Sequence, residues 1–290
     1  MKLYPECYGC SLKRTLLEME GSSEEDKIEA VKRLCQLFIE TFGQEMSTID
    51  LYLKKMELLK DLIHDGGGMK EYKKESLRRA LELYPLLKKY VDSAKNEQQR
   101  LEKALKVSLV GNTVEHGALD HDFDLQKMEE EVEKLLEKNP SVDNTLEIIP
   151  RIQSAKEILF ITDNAAELIF DKILIEELTK HTSVTVSPLS KPAQDDATIE
   201  EVREAGLDSL ARIVPRGEIL GVVWEKTTSE FQKAFQDADF IIAKGMACYE
   251  TLIEYPEKTG GRVALLFQAK CSPVANDSDV ELGSLVMRIQ

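Results

Sequence analysis

The spacing of apolar residues changes near residue 107, and this change constrains the fold more than any other feature. Before it, apolar side chains recur with the period of an α-helix in the segments 24–42, 48–63 and 72–105. Ser22 and Ser23 stand where an N-cap would begin the first segment. The stretch 64–68, which contains three glycines, separates the second segment from the third, and Pro85 interrupts the third. We therefore predict a helical N-terminal domain over residues 1–105.

Beyond this point, short apolar runs alternate with segments of helical period. The runs predicted to be buried strands are Val107–Val110, Ile158–Ile161, Val184–Val186, Ala211–Val214, Phe240–Ala243 and Val263–Phe267. The segments predicted to be helices are Leu125–Glu137, Ala165–Leu178, Ile199–Ala205, Ser229–Gln236 and Tyr249–Glu254. Such alternation is typical of a parallel sheet with helices on both faces. We predict an α/β fold, with a mainly parallel sheet flanked by helices in a domain over residues 106–290.

The charge balance limits the classes of partner. The net charge is −15, and a strongly acidic protein repels nucleic acids and anionic membrane surfaces. A small anionic substrate remains compatible, because a local pocket can be positive. No apolar run reaches the about 18 residues of a membrane span, and the first residues lack the apolar stretch of a signal peptide. Five cysteines are too few for a disulfide scaffold, so we expect a reduced, cytoplasmic location.

Ligands of parallel α/β sheets bind beyond the carboxyl ends of the strands, so the residues after each predicted strand are the candidates for a site. These residues are Gly111-Asn112, Asp163-Asn164, Asp195-Asp196, Lys244-Gly245-Met246 and Lys270-Cys271. Asp163, Asn164 and Asp196 carry the oxygen ligands that hard divalent cations prefer. Lys244 and Lys270 carry cations that could neutralise phosphate charge. The pattern predicts a metal-assisted site for a phosphate.

Backbone groups add to this predicted site. The helices expected after Asn164 and after Gly245 each begin with N–H groups that bind anions. Gly245 and Met246 are therefore candidate phosphate contacts, and Asn112 is a further one at the end of the first predicted strand.

Each of these residue types also has an ordinary structural use. Asp and Asn at a strand–helix junction are common N-caps, and lysines are mostly solvated. Thr198 and Glu201 form a capping-box pattern, so we predict that Thr198 caps the next helix and leaves Asp196 for another role. The shared position of the candidates on one sheet edge favours a site. No P-loop, dinucleotide fingerprint or nucleophile elbow occurs in the sequence.

Cys7 and Cys10 form a C-x-x-C pair near the start of the chain. A structural zinc takes four ligands, and no second close pair exists, so only the fold could bring Cys248, Cys271 or a histidine to this pair. A redox pair is expected beside a strand–helix unit, whereas this pair begins a helical region. Because no other motif lies beside the pair, we predict that replacing both cysteines by serine leaves turnover largely intact.

Five stretches, in order, resemble a known family. They are Gly111-Asn112; Asp163 to Glu167 with Phe170-Asp171; Asp195 to Thr198 with Ala205-Gly206; Ala238-Asp239 through Lys244-Gly245-Met246 to Tyr249-Glu250; and Ala269-Lys270-Cys271. The sequence is similar to the metal-dependent damage-control phosphatases, catalogued as domain of unknown function 89, and its C-x-x-C resembles the small stand-alone archaeal and bacterial members. The resemblance implies a helical N-terminal part and a Rossmann-like α/β core that hydrolyses small phosphorylated metabolites, such as sugar phosphates or damaged cofactor intermediates.

The resemblance also implies roles for single residues. The family's divalent metal, for which nickel, cobalt, manganese and magnesium are all candidates, is held by the residues that match Asp163, Asn164 and Asp196. The phosphate-side lysine matches Lys270. The sequence departs from the family at Ala166, where Gly is common, and at Cys248, where Asn is common. These departures leave the metal preference and the substrate open.

We therefore expect a divalent-metal-dependent phosphatase in which Lys270 stabilises phosphoryl charge. Asp195 is a candidate base, or a group that supports the metal ligands from behind, and the nucleophile is either water or Asp163. An S-adenosylmethionine-dependent methyltransferase is an alternative, although residues 111–117 are a poor version of its glycine-rich turn. A non-catalytic metal- or metabolite-binding protein is the other alternative. The sequence leaves the oligomeric state undetermined.

Overall fold

The computed structural model describes residues 1–63, 69–114 and 123–290. Its helices are α1 (Pro5–Glu18), α2 (Glu24–Thr41), α3 (Thr48–Leu59), α4 (Met69–Asp92), α5 (Glu97–Gly111), α6 (Met128–Glu137), α7 (Thr145–Ser154), α8 (Glu167–Leu178), α9 (Ile199–Glu204), α10 (Ser229–Asp237), α11 (Gly245–Leu252), α12 (Pro256–Thr259) and α13 (Ser272–Asp277). Its strands are β1 (Val142–Asp143), β2 (Glu157–Ile161), β3 (Ser183–Ser187), β4 (Arg212–Ile213), β5 (Phe240–Lys244), β6 (Val263–Gln268) and β7 (Leu285–Ile289). The helix break predicted at 64–68 lies outside the described residues.

The seven strands form one sheet in the order β1-β7-β6-β5-β2-β3-β4. Every neighbouring pair is parallel except β6 with β7, which is antiparallel. The predicted α/β fold with a mainly parallel sheet is therefore confirmed. The sequence patterns did not reveal β1 and β7, which extend the sheet beyond β6.

Alternate residues of each central strand pack on opposite faces of the sheet. Phe160 of β2 and Ile242 of β5 pack into one core with α4, α5 and α8. Ile161 and Ala243, one residue further along each strand, pack into a second core with α10 and α11. Both faces of the sheet are thus covered, which explains why its strands read as continuous apolar runs.

The segment Val107–Val110 is helical, so the prediction of a first strand there is wrong. It forms the last turns of α5, where Leu105, Val107 and Leu109 are all buried. A helix buried on every side is apolar on every side, and a short apolar run of this kind cannot be distinguished from a buried strand by its period. Gly111 permits close packing on α8, because a β-carbon there would come within 2.7 Å of Cβ of Phe170.

The N-terminal helices divide between two packing units. Helices α1 to α3 enclose a small cluster around Met19, Leu34 and Leu59, whereas α4 and α5 belong to the main core with α8. The predicted domain boundary at 105/106 falls inside α5. Pro85 does not interrupt α4, which runs from Met69 to Asp92. No helix among the described residues is long and apolar enough to cross a membrane.

Candidate functional site

The candidate site lies where the strand order reverses. The chain passes from β2 outward to β3 and β4, and returns on the other side of β2 to form β5. Asp163 follows β2, and Gly245 follows β5 across the resulting crevice, which is the usual ligand position in open α/β sheets. Gly245 has φ 79°, and a β-carbon there would overlap the carboxylate oxygens of Asp163. Glycine is therefore required here by both backbone conformation and space.

Backbone hydrogen bonds join the loop after β2 to the loop before α9. The N–H of Ala165 donates to the carbonyl of Asp195 (2.9 Å), and the N–H of Ala197 donates to the carbonyl of Asp163 (2.8 Å). Between them, Asn164 and Asp196 pair in an antiparallel bridge. This arrangement brings the three predicted metal ligands, Asp163, Asn164 and Asp196, together on the wall of one cavity.

None of these ligand candidates is a helix cap. The N-cap of α8 is Ala166, with no side-chain cap hydrogen bond, so the alternative capping role of Asp163 and Asn164 does not apply. Thr198 caps α9 in a reciprocal capping box with Glu201, as predicted. Asp163, Asn164 and Asp196 are only 4–6% exposed. Asp163 and Asp196 are thus two buried carboxylates on the wall of one cavity, where a bound cation would offset the cost of burying their charge.

One atom of each ligand candidate is hydrogen-bonded to another side chain of this protein. Asn112 Nδ2 donates to Oδ2 of Asp163 (2.9 Å), and Asn164 donates its own Nδ2 to Glu167 Oε1 (3.2 Å). Arg216 donates to Oδ2 of Asp196 (2.9 Å). All three side chains carry oxygen atoms of the kind that hard divalent cations bind.

This donor set fits a hard divalent ion. Within residues 1–63, 69–114 and 123–290, no three His, Cys, Asp or Glu side chains are grouped in a way that could hold a metal. The candidate set is instead two carboxylates and one amide, an all-oxygen set of the kind that magnesium and manganese prefer. Cys248, where the related family has Asn, is fully buried, and burial raises the pKa of its thiol to about 12.

Asn112 lies at the end of α5 rather than after a strand, and the structure corrects its predicted role. Its Nδ2 donates to Asp163 (2.9 Å) and to Glu167 (2.7 Å), and its Oδ1 accepts from the N–H of Gln268 (2.8 Å). It is completely buried. Since both of its N–H groups are used and its side chain is completely buried, Asn112 supports the candidate ligands and is not placed to contact phosphate.

Lys244 is likewise not a phosphate contact. Its Nζ donates to Glu167 (2.7 Å), to Asp171 (2.7 Å) and to the carbonyl of Ser108 (2.8 Å), and its side chain is 0% exposed. Burial alone lowers the pKa of Lys244, but the carboxylates of Asp171 and Glu167 outweigh this effect and hold the pKa above its ordinary value. Lys244 has the same strand parity as Phe240 and Ile242, so its side chain points to the face covered by α5 and α8.

Lys270 and Met246 lie at the same sheet edge. Lys270 follows β6 by two residues and is buried, and its backbone N–H contacts Sδ of Met246 at 3.3 Å. Met246 lies in the first turn of α11 and lines the cavity. The structure thus brings Gly245, Met246 and Lys270 next to one another, as the sequence predicted.

The cavity, of about 180 Å³, lies between the sheet edge and helices α1 and α3. Its helical side carries charged groups that the sequence patterns did not reveal. Arg14 donates to Gln194 Oε1 (2.8 Å) and lies 3.7 Å from Asp195, and Lys55 pairs with Glu18 at 3.0 Å. Arg216 was missed as well. Each is a single charged residue in a helix or loop, and no local pattern distinguishes it from a surface charge.

The C-x-x-C pair also reaches this cavity, which its position in the sequence did not indicate. Cys7, Cys10 and Cys271 all line the wall, and every cysteine of the chain is unpaired. Burial raises the pKa of Cys7 to about 11 and that of Cys271 to about 12. These two side chains are therefore neutral thiols at pH 7, poorly suited to nucleophilic chemistry.

The fold and the site define an α/β protein with an acidic, oxygen-rich pocket at the switch point of a parallel sheet. Residues 3–286 match the family described as Damage-control phosphatase ARMT1-like domain. The chain belongs to this family.

Relatives of known sequence and structure agree with this assignment. A damage-control phosphatase of Pyrococcus horikoshii is 32% identical and covers 99% of this chain and 97% of its own length. A damage-control phosphatase of Archaeoglobus fulgidus is 28% identical, with 100% and 99% coverage. The crystal structure of a DUF89 family protein from P. horikoshii matches with a TM-score of 0.83, at 30% identity and full coverage of both chains. The names of these relatives support a phosphatase, and the resemblance seen in the sequence is confirmed.

Proposed function

We propose that this protein is a divalent-metal-dependent phosphatase of small phosphorylated metabolites, such as sugar phosphates or damaged phospho-metabolites. The observation that carries the proposal is the convergence of Asp163, Asn164 and Asp196 on one cavity at the switch point of the sheet. The relatives named damage-control phosphatase supply the reaction class.

In this proposal the three side chains hold one divalent cation: nickel, cobalt, manganese or magnesium. Such an ion would act as a Lewis acid on the phosphoryl group and lower the pKa of a bound water. Asn164 contributes a neutral ligand, which leaves more positive charge at the site than a third carboxylate would. Asn112 and Arg216 keep the two carboxylates in place.

Lys270 supplies a cation for the phosphate. Charge accumulates on the equatorial phosphoryl oxygens in the transition state, and a preorganised ammonium in a buried site stabilises that charge strongly. The N–H groups of Gly245 and Met246, in the first turn of α11, would help to orient the same oxygens.

Water is the nucleophile that the geometry favours. One carboxylate oxygen of Asp163 accepts from Asn112, and the other is the candidate ligand, so Asp163 is poorly placed to attack phosphorus. Asp195 is buried beside Asp196 and lines the cavity. It is the candidate base that removes the proton of the attacking water.

The cavity and the charge of the protein limit the substrate. A volume of about 180 Å³ is below the ~300–1,000 Å³ of sites for drug-sized ligands, which supports a small metabolite. The net charge of −15 argues against a nucleic-acid partner. The five free cysteines support a reducing, cytoplasmic location.

The test is a phosphatase assay on chelator-treated protein, re-supplied separately with Ni²⁺, Co²⁺, Mn²⁺ or Mg²⁺, across a panel of phosphate monoesters. We expect turnover only after re-supply. Asp163→Ala should be inactive under the same conditions, whereas Asp208→Ala, at an exposed carboxylate, should match the wild type. Turnover by fully metal-free protein would overturn the metal dependence.

The same experiment separates the alternative functions. A protein that binds metal but hydrolyses no ester with any ion would be a binding protein. The methyltransferase alternative needs a glycine-rich turn after a strand, but Gly111 ends α5 and does not follow a strand. Residues 115–117 of that stretch lie outside the described residues. Binding of S-adenosylmethionine in a calorimeter would restore it.

A further inference from the structure

A buried carboxylate lies directly behind two of the candidate site residues. Glu167, the first residue of α8, is completely buried. Its Oε1 accepts from Nδ2 of Asn112 (2.7 Å) and from Nδ2 of Asn164 (3.2 Å). Its Oε2 accepts from Lys244 Nζ (2.7 Å). A buried carboxylate is costly unless it is paired and hydrogen-bonded, and here every contact joins Glu167 to the site or to Lys244.

Lys244 is committed to this buried cluster. Its three donors reach Glu167, Asp171 and the carbonyl of Ser108, and the hydroxyl of Ser108 donates to Asp171 (2.6 Å). The cluster contains two carboxylates and one ammonium, all three 0% exposed. Lys244 therefore occupies Oε2 of Glu167 and leaves Oε1 to the two asparagines.

Both oxygens of Glu167 act as acceptors, Oε1 from the two asparagines and Oε2 from Lys244. An asparagine beside it must therefore present its NH₂ group and turn its carbonyl oxygen away. For Asn112 the carbonyl oxygen meets the N–H of Gln268, and the remaining N–H holds Asp163. For Asn164, which lines the cavity, the carbonyl oxygen is left for a cation.

We propose that Glu167, held by Lys244, is a positioning residue that orients Asn164 directly and Asp163 through Asn112, so that both present oxygen to the cation. This inference rests on the proposed metal site. It gives Lys244 a role in the reaction that is indirect, through Glu167, instead of the phosphate contact that the sequence indicated.

The test is Glu167→Gln, measured by calorimetric titration of metal-free protein with Mn²⁺, with thermal melting and turnover alongside. In this variant Lys244 attracts the carbonyl oxygen of the new amide at residue 167. The NH₂ group of that amide then faces the NH₂ groups of Asn112 and Asn164, and donor meets donor. We expect Mn²⁺ affinity to fall about 10- to 100-fold, the loss typical of groups that orient metal ligands. The substitution keeps the side-chain size and removes charge from a cluster with excess carboxylate, so the fold should persist.

Glu177→Gln is the matched control. Glu177 lies on the same helix, is buried and is paired with Arg100 at 3.4 Å, but it has no contact with the site. It should melt at a lower temperature and keep wild-type Mn²⁺ affinity. An equal loss of affinity in Glu177→Gln would show that the loss reflects general destabilisation, and would overturn the proposal.

The double variant E167Q/K244M tests the orientation itself. Without the ammonium, the amide of residue 167 can turn its carbonyl back toward the asparagines, so Mn²⁺ should bind more tightly than to E167Q alone. If E167Q does not fold, the double variant is compared with the wild type, and affinity should lie within about tenfold. No recovery, or unchanged affinity in E167Q, overturns the role of Glu167. A wild type that binds no Mn²⁺ overturns the metal site instead.

Discussion

The two walls of the cavity are built in different ways. On the sheet-edge wall, the polar groups are fixed by partners from several elements: Asp163 by Asn112 of α5, and Asp196 by Arg216 of the loop after β4. On the helical wall, Arg14 keeps 16% of its side chain exposed and donates to a neutral amide, Gln194 (2.8 Å), with the carboxylate of Asp195 3.7 Å away. Groups that act in a transition state must be held in place beforehand. Because the groups of the sheet-edge wall are held more firmly, we assign the chemistry to that wall and the closing of the cavity to helices α1 and α3.

The largest effect is expected from loss of a candidate ligand on the sheet-edge wall. Asp163→Ala, Asn164→Ala and Asp196→Ala should each lower turnover, by about 10³-fold for the two carboxylates, because both coordination and charge are lost. Metal content should fall in parallel. None of the three caps a helix, so Asn164→Ala should change the melting temperature of the metal-free protein little, whereas Asp196→Ala removes the carboxylate partner of the buried Arg216 and should lower it. Wild-type metal content and turnover in the two aspartate variants would mean that the chemistry lies elsewhere.

Lys270→Ala should separate metal binding from catalysis at the same sheet edge. The coordination sphere remains, but a cation needed in the transition state is gone, at a cost of about 3–4 kcal/mol, or roughly 10²- to 10³-fold in kcat. Metal content, measured on the same sample, should equal that of the wild type. Loss of metal in this variant would show that Lys270 supports the ligands instead of the phosphate.

Gly245→Ala tests how closely the sheet-edge wall is packed. The new methyl group would overlap the carboxylate of Asp163, and the backbone at φ 79° disfavours any side chain. A displacement of Asp163 by about 1 Å should reduce turnover by roughly 10²-fold. Leu252→Ala, at a buried residue of α11 that does not line the cavity, is a control for helix stability. Unchanged turnover in Gly245→Ala would show that this wall is more adaptable than its contacts indicate.

Arg14→Ala tests the helical wall. Its guanidinium lies on the helical wall of the cavity, where it would contribute equally to binding of the substrate in the ground state and in the transition state. We expect KM to rise by about fivefold, close to 1 kcal/mol for a partly exposed charge, with kcat nearly constant. If kcat fell as far as in Lys270→Ala, both walls would take part in the chemistry, and its assignment to the sheet edge alone would be wrong.

The smallest effect is expected from Cys7→Ser with Cys10→Ser. The pair lines the cavity although no other motif lies beside it in the sequence. The raised pKa of Cys7 keeps that thiol neutral, so we expect it to take no part in the chemistry. Serine is similar in size, so turnover should stay within about twofold, as for most mild substitutions. A tenfold loss in a folded double variant would assign the pair a direct role.

Much of the fold follows from local patterns. The runs at β2, β3, β5 and β6 are continuous because the strands are buried on both faces, and the capping box at Thr198 is complete within four residues. The same logic fails at Val107–Val110, where a helix is buried on all sides. It also overlooks β7, whose apolar stretch is only three residues long before it is interrupted by Arg288.

The sequence by itself determined which chemical groups stand at the strand ends: Asp163, Asn164, Asp196 and Lys270. The tertiary structure alone decided which of the neighbouring polar groups face the cavity and which support it from behind. Lys244 meets Ser108 across 136 residues, and Asn112 meets Asp163 across 51. A hydrogen bond depends on the positions of both partners, and local sequence fixes only one of them. The roles of Asn112, Glu167, Arg216 and Lys244 therefore emerged only when the helices had packed on the sheet.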